Sequence, residues 1–172
     1  MVERKQLVED SRFFLDEFNL DRIYRENIKA YEIIEMPVGN VLRQYKKKIM
    51  PLYETDVYRF LSRSKKSEEA YQQYCDNIGM KRRSIESYFA LIDAIKKNGY
   101  DIYQGAIVVD QHNLILEGQH RCCILLKLFG AAYKIKVVRF CYSERIVRPR
   151  FYLKLFCAKV KNFYYRFSNE KK

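Results

Sequence analysis

The sequence has little that would tie it to a metal or to a disulfide framework. Its five cysteines (Cys75, Cys122, Cys123, Cys141 and Cys157) are odd in number and form no Cys-x-x-Cys pair, and its two histidines have no ligand spacing. Neither a zinc site nor a stapled secreted scaffold is indicated, and a reducing cytosol fits best. No apolar run approaches the length of a membrane span, and Met1-Val2-Glu3-Arg4-Lys5 opens without the apolar stretch of a signal peptide. The expectation is a cytoplasmic chain. No internal repeat or low-complexity tract is present, and 172 residues suffice for one core domain with appendages.

What the sequence does have is positive charge, unevenly placed. Lys and Arg number 33 against 21 Asp and Glu, a net +12 that calls for an acidic partner: nucleic acid, anionic lipid or phosphorylated metabolites. From Arg145 to Lys172 there are nine basic residues and one acidic one, so the tail carries most of the excess.

Three parts follow from pattern. Residues 1–30, with Leu7, Phe13, Phe14, Phe18, Leu20 and Ile23 at helical spacing, read as an N-terminal helical cap. Residues 31–143 read as the core domain, and 144–172 as a basic aromatic tail. Within the core domain, Tyr31 to Met36 is a first strand stopped by Pro37 and Gly39. Residues 40–80 are polar and hard to read; Val57, Phe60 and Leu61 hint at a helix before a loop from Ser62 to Ser67, giving a helical insertion. A helix follows from Ser84, its expected N-cap, to Asn98-Gly99. Ala106 to Val109 and Leu114 to Leu116 flank the turn Asp110-Gln111-His112-Asn113 as a β-hairpin would. A helix from His120 ends at Gly130, and Ile135 to Phe140 is a closing strand.

The chemistry concentrates where the second hairpin strand becomes a helix, at Glu117-Gly118-Gln119-His120-Arg121. The first amides of a helix have no intrahelical acceptor and sit at the positive end of its dipole, so the corner favours an anion. Gly118 admits a ligand close to the backbone, and His120 and Arg121 add donors, Arg with a fork that suits phosphate. A plainer reading fits the same residues: Gly118 permits the turn, His120 caps the helix and Arg121 pairs with Glu117. Cys122 and Cys123 read as buried packing residues.

The stretch from Gly105 to Phe140 resembles the ParB/sulfiredoxin-like superfamily. The likeness rests on the Ala106-Ile107-Val108-Val109 strand, the Glu117-Gly118-Gln119-His120-Arg121 corner, a helix ending in Phe129-Gly130 and the Ile135-Lys136-Val137-Val138 strand. The helix from Ser84 and the strand 31–36 match its order, so about half the chain is covered. The resemblance implies an α/β fold: a small mixed sheet with flanking helices, here with N-terminal helices and a C-terminal amphipathic helix added. In that superfamily the corner cradles phosphates, of ATP in sulfiredoxin and the free serine kinases and of CTP in ParB. Carried over, Gly118, Gln119, His120 and Arg121 form the phosphate-binding corner. Sulfiredoxin has its reactive cysteine where this chain has Gln119, so sulfiredoxin chemistry is not implied.

The resemblance implies ATP or CTP with Mg2+ as the cofactors. If phosphoryl transfer occurs, it needs positioning, a metal ion and a base near an acceptor hydroxyl. Glu35 is the expected base, Glu117 is expected to orient Arg121 or touch the metal, and Asp110 is read as a turn residue.

In the tail, Pro149 suits a first helical turn, and Tyr152, Phe156, Val160, Phe163 and Phe167 fall on one stripe at 100° per residue. Lys154 and Lys161 oppose the stripe, while Lys159 and Arg166 flank it. This is the pattern of an interfacial helix on anionic lipid at the inner face of a membrane. Two alternatives stay open: the stripe packs on the body, or its rings stack on nucleic-acid bases. DNA fits less well, because no helix-turn-helix follows the corner. The tail is similar to those of peripheral enzymes of bacterial surface-polysaccharide assembly, with which small ParB-like proteins are associated.

The expected function is therefore a small ATP-dependent phosphotransferase acting on a hydroxyl-bearing small molecule or glycan. Its alternative is a non-catalytic ParB-like nucleotide switch that binds DNA or a protein.

Overall fold

The computed structural model describes residues 28–61, 65–77, 85–142 and 149–169. Of the N-terminal helical cap expected over 1–30, residues 1–27 lie outside them, as do the Ser84 cap and residues 143–148. Ile28 to Ala30 are not helical but begin the first strand, paired with the last strand of the sheet.

Six strands and five helices are described: β1 (Ile28–Pro37), β2 (Leu42–Tyr45), β3 (Lys48–Pro51), α1 (Asp56–Phe60), α2 (Lys65–Asn77), α3 (Ile85–Asn98), β4 (Val108–Asp110), β5 (Ile115–Glu117), α4 (Gln119–Phe129), β6 (Lys134–Tyr142) and α5 (Pro149–Asn169). Four strands form one sheet in the order β1-β6-β4-β5. β6 is antiparallel to β1 and parallel to β4, and β5 is antiparallel to β4. The result is a mixed α/β fold with a small mixed sheet and flanking helices.

Side-chain alternation explains why both faces of this sheet are covered. On β6, Ile135 and Val137 point to one side and Val138 and Phe140 to the other, all buried. Around β4, Ile107 and Val109 join the first side, and Ala106 and Val108 the second. The first side meets the helices, where Ile124 and Leu125 of α4 pack with Tyr88 and Ile92 of α3. On the second side Ile28 and Ile102 pack with Val138 and Phe140.

The hairpin at Asp110 is formed as expected, held by an Asx turn in which Oδ1 accepts from the amides of His112 and Leu114, each at 2.8 Å. Burial raises the Asp110 carboxyl above its usual range, and the Leu114 and His112 amides moderate the shift.

The reading of residues 40–80 as a helical insertion needs correction. Its first part is a second hairpin, β2 with β3, in register from Leu42 opposite Pro51 to Tyr45 opposite Lys48. The turn is Lys46-Lys47, with Lys46 at a φ of 54°, a left-handed position usually given to Asn or Gly. The Leu42 amide bonds the Asn113 carbonyl at 2.9 Å and a bridge joins Leu42 to Leu114, so this hairpin abuts β5. The expected helix near Val57 and Phe60 is α1, capped by the Thr55 hydroxyl. The loop expected from Ser62 to Ser67 gives way at Lys65 to α2.

α5 lies across the body on a narrow inward face. Leu155 and Ala158 are buried against Leu42 and Leu114, and the buried Asn162 amide donates to the Gly39 carbonyl. Lys154 Nζ donates to the Lys47 carbonyl at 2.8 Å, and the Tyr53 and Tyr165 rings stack at 3.9 Å.

Candidate functional site

The corner is built by one glycine. β5 ends at Glu117, and Gly118 turns the chain at a φ of 83°, where a Cβ would sit 2.9 Å from Ile107 Cγ1. Only glycine fits both the backbone angle and the space. No side chain caps α4 at Gly118, which leaves the helix start as a place for an anion.

The three side chains that follow diverge. Gln119 borders a cleft, and its Oε1 accepts from the Tyr74 hydroxyl at 3.0 Å. His120 points into the core: it is 3% exposed, its Nε2 lies 2.9 Å from the Tyr71 hydroxyl, and its ring meets Tyr71 and Tyr88 edge-on. Arg121 lies over Gly105, where a Cβ would collide with its guanidinium. Successive helical residues are 100° apart, and here the three adjacent side chains leave the helix start in different directions. Of the corner residues expected to hold phosphate, Gln119 alone lines the cleft with its side chain.

The cleft has a volume of about 860 Å³ and is walled by the β2–β3 hairpin, the start of α1 and one flank of α5. Six basic side chains (Arg43, Lys47, Lys48, Arg59, Lys154 and Lys161) line it, against the acidic Glu54 and Asp56. Low-dielectric walls lined by one sign of charge concentrate the field on an anion. Glu54 is already engaged, pairing with Lys161 Nζ at 2.9 Å.

Arg43 is the telling residue. Its Nη1 reaches the Ile115 carbonyl only at 3.5 Å, and its Nε is buried with no partner among the described residues. A buried guanidinium nitrogen left short of acceptors is costly unless a ligand or water completes it. Nothing in the polar stretch around Arg43 singled it out beforehand, because the strand that carries it was not legible.

The candidate carboxylates do not meet at this cleft. Glu35 is on β1 and Glu117 on β5, the two opposite edges of the sheet and so roughly 14 Å apart across three strand spacings. Glu35 is exposed and pairs with Lys134 at 3.2 Å. Glu117 is half-buried opposite Val108 and is not among the cleft's lining residues. The carboxylates in place are Glu54 and Asp56. No group of three or more His, Cys, Asp or Glu side chains among the described residues is arranged to hold a metal ion.

Cys122 and Cys123 are fully buried. Burial pushes the Cys123 thiol up to about 12 and the Cys122 thiol well above its ordinary value. Neither is a reactive thiolate at neutral pH.

Compared with family models, with characterised proteins and with solved structures, the chain shows no significant match.

Proposed function

We propose that the chain is a ParB/sulfiredoxin-like nucleotide-binding protein that holds the phosphates of ATP or CTP in the cleft before α4. The observation that carries this reading is the set of six basic side chains that line the cleft together with Gln119. The element order from β4 through the Gly118 corner and α4 to β6 supports the family reading.

In the phosphotransferase form of this reading, an acceptor hydroxyl of a small molecule or glycan attacks the terminal phosphorus. The bond to the bridging oxygen breaks, the nucleoside diphosphate leaves and the hydroxyl proton passes to a carboxylate. Asp56 takes the place of Glu35 as that base, because it borders the cleft and Glu35 lies across the sheet. Mg2+ is commonly held by one or two carboxylates together with the nucleotide's own phosphates, and Glu54 and Asp56 are the carboxylates within reach. The ion would neutralise phosphate charge. The scarcity of carboxylates at the cleft favours a second reading, a nucleotide switch that binds without turnover.

Thermal unfolding with ATP, CTP or GTP and Mg2+ is the direct test, because a ligand specific to the folded state raises Tm. A rise with ATP or CTP that disappears in Lys48→Glu/Arg59→Glu is the expected result. No shift with any nucleotide refutes the reading. Binding without release or transfer of phosphate, in wild type and Asp56→Asn alike, selects the switch.

A further inference from the structure

We infer that the outward face of α5 is a docking surface for an anionic lipid bilayer, a conclusion independent of the nucleotide reading. Exposure settles which way the aromatic stripe points. Tyr152, Leu153, Phe156, Phe163 and Tyr164 are 52 to 66% exposed, while Leu155, Ala158 and Asn162 are buried against the body. The sequence left open whether the stripe packs inward; the packed face is a different arc of the same helix. The Phe167 side chain lies outside the described residues.

At 100° per residue α5 divides into three zones. The inward zone runs through Phe151, Leu155, Ala158, Asn162 and Tyr165. The outward zone, spanning about 120°, carries Tyr152, Leu153, Phe156, Val160, Phe163 and Tyr164. Between them lie Arg150 on one flank and Lys159 on the other, both exposed, while Lys154 and Lys161 turn toward the body to meet the Lys47 carbonyl and Glu54. Arg150 and Lys159 beside a row of outward rings place their guanidinium and ammonium groups at headgroup level while the rings enter the acyl boundary.

The occupant follows from charge. No Asp or Glu occurs anywhere in Pro149–Asn169. A second copy docked face to face would set basic flank against basic flank, whereas phosphatidylglycerol-type headgroups complement both flanks. The helix is 21 residues long, so it presents about 30 Å of continuous surface. No helix among the described residues is long and apolar enough to cross a membrane, so α5 lies on the bilayer. Its flank at Leu153 and Lys154 is also a wall of the basic cleft, which docking would bring beside the headgroups.

The test uses the full chain with vesicles of phosphatidylcholine alone or mixed with phosphatidylglycerol. Co-sedimentation with the mixed vesicles only, reversed by high salt, is expected. Phe156→Asp/Phe163→Asp should weaken it by about tenfold or more, and Lys159→Gln by about fivefold. Both variants should melt as the wild type does, since these positions are exposed. The chain has no tryptophan, so Phe156→Trp gives a single probe whose emission should shift to the blue on mixed vesicles. Absence of sedimentation or of the blue shift overturns the proposal. So does a lipid-free dimer that Phe156→Asp/Phe163→Asp dissociates, or an aromatic-dependent complex with DNA in place of vesicles.

Discussion

The Tyr71 hydroxyl and His120 Nε2 lie 2.9 Å apart inside a buried box of aromatic rings, where Phe60 stacks on Tyr71 at 4.5 Å and on Tyr88 at 5.4 Å. This pairing makes His120 a core residue that fixes α4 against α2. Tyr71→Phe removes the hydroxyl and keeps the ring, so it should cost about 1–2 kcal/mol in urea unfolding while leaving nucleotide affinity unchanged. A loss of affinity without loss of stability would return His120 to the ligand site.

Gly118 and Gly99 form a natural comparison. Both are left-handed, at φ of 83° and 76°, but a Cβ at Gly99 meets nothing within 4 Å, whereas one at Gly118 meets Ile107. Gly99→Ala should carry the backbone cost alone, about 1 kcal/mol, and Gly118→Ala about 2–3 kcal/mol. Denaturant midpoints at an unchanged slope would check the order. Equal costs would mean that the Ile107 contact relaxes freely.

The sheet and the corner were legible because their residues obey simple periods. Val108 and Val109 with Leu114 and Ile115 bracket an Asp-initiated turn, and Gly130 stops α4 where an apolar helix ends. The β2–β3 hairpin was not legible, because Lys46-Lys47 is no turn signal and Arg43, Gln44 and Tyr45 show no apolar alternation. α2 escaped for a related reason: its buried face is Tyr71, Tyr74 and Cys75 in an otherwise polar segment, and tyrosines satisfied by His120 and Gln119 read as solvated. Since the hairpin supplies Arg43, Lys47 and Lys48, the cleft went unseen with it. Sequence located the corner but not the direction of its side chains, which depends on the helix phase set by packing.

Arg43 should separate stability from binding. Its buried Nε, short of partners, burdens the folded state, so Arg43→Met should unfold at equal or higher denaturant concentration. The same variant should weaken nucleotide binding by about tenfold or more, because a charge-assisted contact to phosphate is lost. Titration calorimetry alongside urea unfolding reads both effects. Unaltered affinity would take the phosphates out of this part of the cleft.

Alkaline pH should expose the burial of Cys122 and Cys123. Their folded values lie above the ordinary 9.0, that of Cys123 at about 12, so the native state keeps both protons after the unfolded chain has released them. Below the unfolded value both states carry these protons; above it the unfolded chain gains by releasing protons that the native state retains, so stability falls as pH rises. The contribution is complete below about pH 9 and is lost as pH rises towards 12, at up to about 1.4 kcal/mol per pH unit for each thiol. Tyr88 and Tyr100, whose phenols burial also raises, add to the fall above about pH 10. Urea midpoints under reducing conditions should therefore drop between pH 9 and 10 in the wild type. In Cys122→Ala/Cys123→Ala that early drop should vanish while the later, phenolic one remains. A double variant that still loses stability between pH 9 and 10 would place the titrating group elsewhere.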